Sequence, residues 1–184
     1  MAERELVARP VDEQFRRAEG ATPRCARLER RGECRGHVIS EERASATIKT
    51  PGEAVAGRFA LIEFLFPRHA SPPLHTDPQD ESYIVLEGRL AIHAGERRFE
   101  LEAGAAAVVP MGVPHTFRVD SDTARVLVLS TPAGLERLVR DAAVPANAST
   151  LPPADTPRPS AEELEAVFAT HGQINLGPPM APHD

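Results

Sequence analysis

The stretch Pro72-Pro-Leu-His75-Thr-Asp77-Pro-Gln-Asp-Glu81-Ser-Tyr83-Ile-Val-Leu-Glu-Gly88 places metal-ligating side chains at the entrance of a β-strand. His75 and Asp77 are two apart, and in an extended chain side chains two apart leave the same face. Glu81 opens the next apolar run, and its face continues through Tyr83 and Val85. A second stretch, Gly104-Ala-Ala-Ala-Val-Val-Pro110-Met-Gly112-Val-Pro114-His115, delivers another histidine at the start of a later strand. Two imidazoles with one or two carboxylates suit Fe(II), Mn(II), Ni(II), Co(II) or Zn(II). The expectation is a metal site formed by His75, Asp77, Glu81 and His115 at the mouth of a small barrel.

Outward from these stretches, short apolar runs alternate with turn signals from about residue 24 to residue 130. The clearest runs are 58–66, 82–86, 89–93, 106–109, 115–119 and 124–130. Gly and Pro supply the turns between them. Many short, regularly spaced strands indicate an all-β sandwich or barrel. Residues 1–23 read as a lead-in, with one amphipathic helical piece after Pro10 that uses Val11, Gln14, Phe15 and Ala18. Beyond residue 131 come a helix over 134–141, a Pro-rich linker over 143–159, a C-terminal helix and an extended tail. Ser160-Ala-Glu-Glu163 is a capping box, Leu164, Val167 and Phe168 form the stripe of its helix, and Gly172 stops it.

The two quoted stretches resemble the paired motifs of the cupin superfamily. His75, Asp77, Glu81 and Gly88 follow the spacing of the first motif, and Gly104, Pro110, Gly112 and His115 that of the second. The resemblance implies an all-β double-stranded β-helix, a jelly roll, over residues 24–130. The helix, Pro-rich stretch and C-terminal helix beyond it resemble the layout of single-domain bacterial cupins of the quercetin-dioxygenase type. Three positions depart from the pattern. Asp77 stands where the second histidine of His-x-His belongs, His69 where the leading glycine belongs, and Val119 where the closing asparagine belongs. Two ligand sets are open. All four residues together would neutralise a divalent ion and favour harder ions such as Fe(II) or Mn(II). Alternatively His75, Asp77 and His115 form a two-histidine-one-carboxylate triad, which leaves Glu81 as a general base.

What the resemblance implies about function is a metal-dependent enzyme acting on a small organic molecule, first of all an oxygenase similar to quercetin dioxygenases. A non-oxidative polyketide cyclase or isomerase is a second reading, and a non-catalytic small-molecule-binding cupin a third. Tyr83, Glu63, Phe117 and His69 are the candidate pocket residues. Arg118 and Arg125 are weighed as clamps for an anion against solvated strand charges.

Composition narrows the partners. The chain has 184 residues and a formal net charge of −6, which speaks against nucleic acid or an anionic membrane. Of 21 basic residues only Lys49 is a lysine, so Schiff-base chemistry has one candidate. There is no tryptophan and one tyrosine, too little aromatic surface for a base-stacking platform. Cys25 and Cys34 have no further partners for a zinc ribbon and read as reduced thiols. No apolar run reaches the roughly 20 residues of a membrane span, and Met1-Ala-Glu-Arg-Glu-Leu-Val does not resemble a secretory signal. These readings lead to an expected cytoplasmic protein. The face of Ile62, Phe64 and Phe66, placed outside the barrel, and the habit of cupins to pair their sheets lead to an expected homodimer.

Overall fold

Buried side chains alternate with more exposed ones along the longest strands of the chain, and this alternation sets their packing. The structure, a computed structural model, describes residues 8–10, 36–39, 43–146, 150–153, 155–156 and 159–181. Its strands are β1 (Ala8–Pro10), β2 (Gly36–Ile39), β3 (Ala44–Thr50), β4 (Ala60–Pro67), β5 (Pro73–Thr76), β6 (Asp80–Glu87), β7 (Arg89–Ala94), β8 (Arg97–Glu102), β9 (Ala105–Val109), β10 (His115–Val119), β11 (Thr123–Thr131), β12 (Ala143–Ala146) and β13 (Ile174–Pro179). Two helices, α1 (Leu135–Ala142) and α2 (Ala161–Thr170), follow β11 and the linker. The expected helix after Pro10 and the two cysteines fall outside the described residues.

The strands form two sheets. The larger has the order β1-β9-β6-β11-β4-β3-β2-β12, the smaller β13-β5-β10-β7-β8, and neighbouring strands pair antiparallel. From β4 to β11 the chain passes repeatedly between the sheets, which makes the double-stranded β-helix expected of the sequence. The sheets recruit β1, β12 and β13 from outside residues 24–130 as well.

In β4 the even positions Ile62, Phe64 and Phe66 are buried, and in β11 Ala124, Val126 and Val128 are. They meet Leu90, Ile92, Phe117 and Val119 of the smaller sheet. Phe64 stacks on Phe66 with ring centroids 5.2 Å apart, and Phe66 meets Phe117 at 4.9 Å. Each fully buried side chain of this kind contributes roughly 1.5–3 kcal/mol. The expectation that Ile62, Phe64 and Phe66 lie outside the barrel is therefore corrected. β4 is a central strand, hydrogen-bonded to β3 and β11, so one of its two apolar faces must meet the opposing sheet, and the aromatic face does.

The β6–β7 turn shows why a glycine closes the first motif. Gly88 has φ +84°, and a Cβ there would collide with the Thr123 carbonyl. β8 was not expected. Only Leu101 of Arg97-Arg-Phe-Glu-Leu-Glu102 is buried, so its charged edge-strand pattern leaves little apolar signal.

Candidate metal centre

Three strands and one turn bring the quoted residues together. His115 of β10 pairs directly with His75 of β5, and their rings lie 4.4 Å apart. Asp77 follows β5, and its carbonyl accepts the amide of Gly112 at 3.0 Å. One residue earlier, the Met111 amide donates to the Asp80 carboxylate at 2.8 Å. These two bonds tie the Pro110–Pro114 turn to the loop before β6 and so fix His115 relative to Asp77. Glu81 and Tyr83 point inward from β6. His75, Asp77, Glu81 and His115 are all buried.

Backbone carbonyls set both imidazole tautomers. The Nδ1 of His75 faces the Pro73 carbonyl at 2.6 Å, and the Nδ1 of His115 faces the Val113 carbonyl at 3.0 Å. A carbonyl only accepts, so each Nδ1 carries the proton and each neutral ring presents a bare Nε2. Those two Nε2 atoms lie 3.1 and 3.6 Å from one oxygen of Asp77. Orientation of a ligating histidine by a carbonyl at its other nitrogen is the usual support of a metal ligand. The ligand atoms of His75, Asp77 and His115 all lie within 4.8 Å of one another.

Glu81 stands beside this trio. One of its oxygens accepts the hydroxyl of Tyr83 and lies 3.5 Å from the His115 Nε2. The other oxygen makes no hydrogen bond to the described residues. The Tyr83 hydroxyl is also 3.4 Å from the His115 Nε2.

The electrostatics fit a divalent cation. Two carboxylates are buried with no arginine or lysine among the residues lining the cavity. Buried charges without a counterion are costly, and one divalent ion would neutralise both. Without the ion, the proton takes its place. Burial pushes the His75 pKa down, but the hydrogen bond and charge of Asp77, with the Pro73 carbonyl and Glu81, outweigh it and raise the pKa from 6.5 to about 9. Burial pushes Glu81 up, yet His115, Tyr83 and His75 hold its carboxyl below the ordinary value.

The site opens into a cavity of about 90 Å³. Phe64, Phe66, Tyr83 and Phe117 line its walls, and Leu138, Leu164, Phe168 and Gln173 close it from above. The roof was missed in the sequence. The stripes of α1 and α2 announce packing faces, and nothing local says that they pack on each other over the barrel mouth.

Two expected pocket residues lie elsewhere. Glu63 points outward from β4, where it pairs with Lys49 at 2.9 Å and Arg125 at 2.5 Å. His69 is exposed in the turn after β4 with φ +65°. Alternation cannot decide which face of a doubly apolar strand is inside, and Glu63 went with the wrong one. Neither arginine reaches the cavity. Arg125 is occupied on the outer face, and Arg118 is fully buried outside the smaller sheet, bonded to Asp120 and the Ala181 carbonyl.

A family model described as the cupin domain matches residues 62–132. An uncharacterized protein of Streptomyces coelicolor is 36% identical over 91 residues, covering 44% of this chain and 87% of that protein. With this barrel and this donor set, the chain belongs to the cupin family, whose members often bind transition metals. Quercetin 2,3-dioxygenase of Bacillus subtilis is 28% identical over 86 residues, which are 46% of this chain and 26% of that enzyme. The chain thus spans about a quarter of the length of that relative. The solved structure of KdgF from Halomonas overlaps 50% of this chain and 81% of its own, at 19% identity and a TM-score of 0.46.

Proposed function

We propose that the protein is a metal-dependent oxygenase, similar in reaction class to quercetin dioxygenases, acting on a small enol or phenol inside the barrel. The carrying observation is the convergence of His75, Asp77 and His115, with Glu81 held beside them at the end of an apolar cavity. The partial likeness to the Bacillus subtilis dioxygenase supports the class.

His75, Asp77 and His115 would hold a divalent ion. Bound there, the ion supplies a Lewis acid for the substrate oxygen and a redox partner for dioxygen. The chain does the rest. Glu81 takes the proton of the enol or phenol through its unbonded oxygen, while Tyr83 fixes the other oxygen and so aims the carboxylate. Phe64, Phe66 and Phe117 pack against the flat faces of the substrate, and the roof of α1 and α2 excludes water. Ligand pockets for drug-sized molecules run to roughly 300–1,000 Å³. The much smaller cavity here favours a single-ring substrate over a full flavonol.

Oxygen uptake with single-ring enols, phenols and flavonols, after reconstitution with Fe, Mn, Co or Ni, tests the reading. Substrate-dependent oxygen consumption with at least one metal is expected, and none with any would overturn it. A second reading, a non-oxidative isomerase or cyclase, is favoured by the Glu81–Tyr83 pair, because proton transfer needs no oxygen. It predicts turnover that is unchanged under anaerobic conditions.

A further inference from the structure

We propose that Gln173 selects the substrate by accepting a hydrogen bond from a hydroxyl or amine on its ring. The inference rests on the cavity being the substrate site, as above, and names the substrate class more closely.

Gln173 is nine-tenths buried at the turn from α2 to β13. Its backbone N–H donates to the Phe168 carbonyl at 3.0 Å, and the residue lines the cavity. A relay fixes which end of its side chain is free. Asn175 Nδ2 donates to Glu165 Oε2 at 2.6 Å, and Gln173 Nε2 donates to Asn175 Oδ1 at 3.1 Å. An ionised carboxylate only accepts, so Asn175 must turn its NH₂ to Glu165 and its oxygen to Gln173. Gln173 must then turn its own NH₂ to Asn175. Flipping either amide would set like groups against each other. The Oε1 of Gln173 is left as the free end, and it makes no hydrogen bond to any described residue.

The roof beside Gln173 is apolar: Leu138, Leu164 and Phe168. A ligand there is read at two polar points. One is the trio with Glu81, and the other is an acceptor whose polarity cannot invert. An ether or carbonyl at that position meets an oxygen, whereas an O–H or N–H is satisfied. A site built to bond a substrate hydroxyl discriminates strongly against analogues that lack it.

Resorcinol and its monomethyl ether, which keeps one hydroxyl for the trio and Glu81, are suitable probes, titrated by ligand-observed NMR with protein that is metal-loaded and with protein stripped of metal. Resorcinol should bind about tenfold more tightly than the ether, roughly one hydrogen bond. Q173L and Q173M, which both remove the acceptor, should reduce that preference to about twofold or less. The proposal is overturned by equal affinities in the parent, by a preference that survives Q173L, or by no saturable binding of resorcinol at millimolar concentration. Tight, selective binding without oxygen consumption would sink only the oxygenase reading.

Discussion

Glu81 decides between the two ligand sets. Its carboxylate is bonded to Tyr83 and lies outside the three-residue cluster. E81Q should therefore keep its metal and lose turnover by about 10²-fold or more, the usual weight of a general base. Loss of the metal in E81Q, read by elemental analysis, would make Glu81 a fourth ligand instead. Y83F should leave a buried carboxylate short of a donor, at a stability cost of about 1–3 kcal/mol measured by chemical unfolding. An unchanged unfolding midpoint would show that the bond carries no such weight. At this scale the trio was legible because spacing and strand direction act locally: His75 and Asp77 must share a side, and a Pro-Met-Gly-Val-Pro turn must deliver His115. Glu63 was not legible, because its place depends on which side of β4 meets the other sheet, a property of the pairing partners and not of the strand; His69, in the turn after β4, is the exposed loop histidine its neighbouring prolines suggest.

Among the elements, α2 does most for the cavity with least support. It is linked to the barrel through a Pro-rich segment, and its buried side chains Leu164 and Phe168 form a small cluster with Leu138 and Ala142 of α1, apart from the main core. Its start is held by the capping box. The Glu163 amide donates to the Ser160 hydroxyl at 3.2 Å, and the Ser160 amide donates to Glu163 Oε2 at 2.7 Å. S160A should cost about 1 kcal/mol of local stability. Hydrogen exchange should then speed up in α2 while β6, β10 and β11 stay protected. Uniformly faster exchange throughout the barrel would mean that α2 unfolds only with the whole protein. The cap and the stripe of α2 were legible because both lie within one turn of sequence. Its place over the barrel mouth was not, because that place is set by β13 returning to pair with β5.

For the whole molecule, the buried acidic centre couples folding to protons and metal. The groups facing His75 are Asp77, Glu81 and His115. In metal-free protein the His75 pKa stands at about 9 against an ordinary 6.5. Its protonated form thus stabilises the fold fully below about pH 6.5, and that contribution fades as the pH rises through about 9. The thermal midpoint of the apo protein should fall over this window, and H75Q should flatten the fall. A midpoint that rises instead would contradict the assignment. Metal requires the neutral ring, so binding should release a proton and tighten with rising pH. The expected homodimer loses the face on which it was argued, since Ile62, Phe64 and Phe66 line the core. The account stands or falls on metal content. Elemental analysis of chelator-free protein, reconstituted with Fe(II) or Mn(II), should give close to one equivalent for the parent and for D77H. D77N should fall to about a tenth of that or less. A parent below about a tenth of an equivalent, or a D77N that binds as well as the parent, would contradict the His75–Asp77–His115 centre.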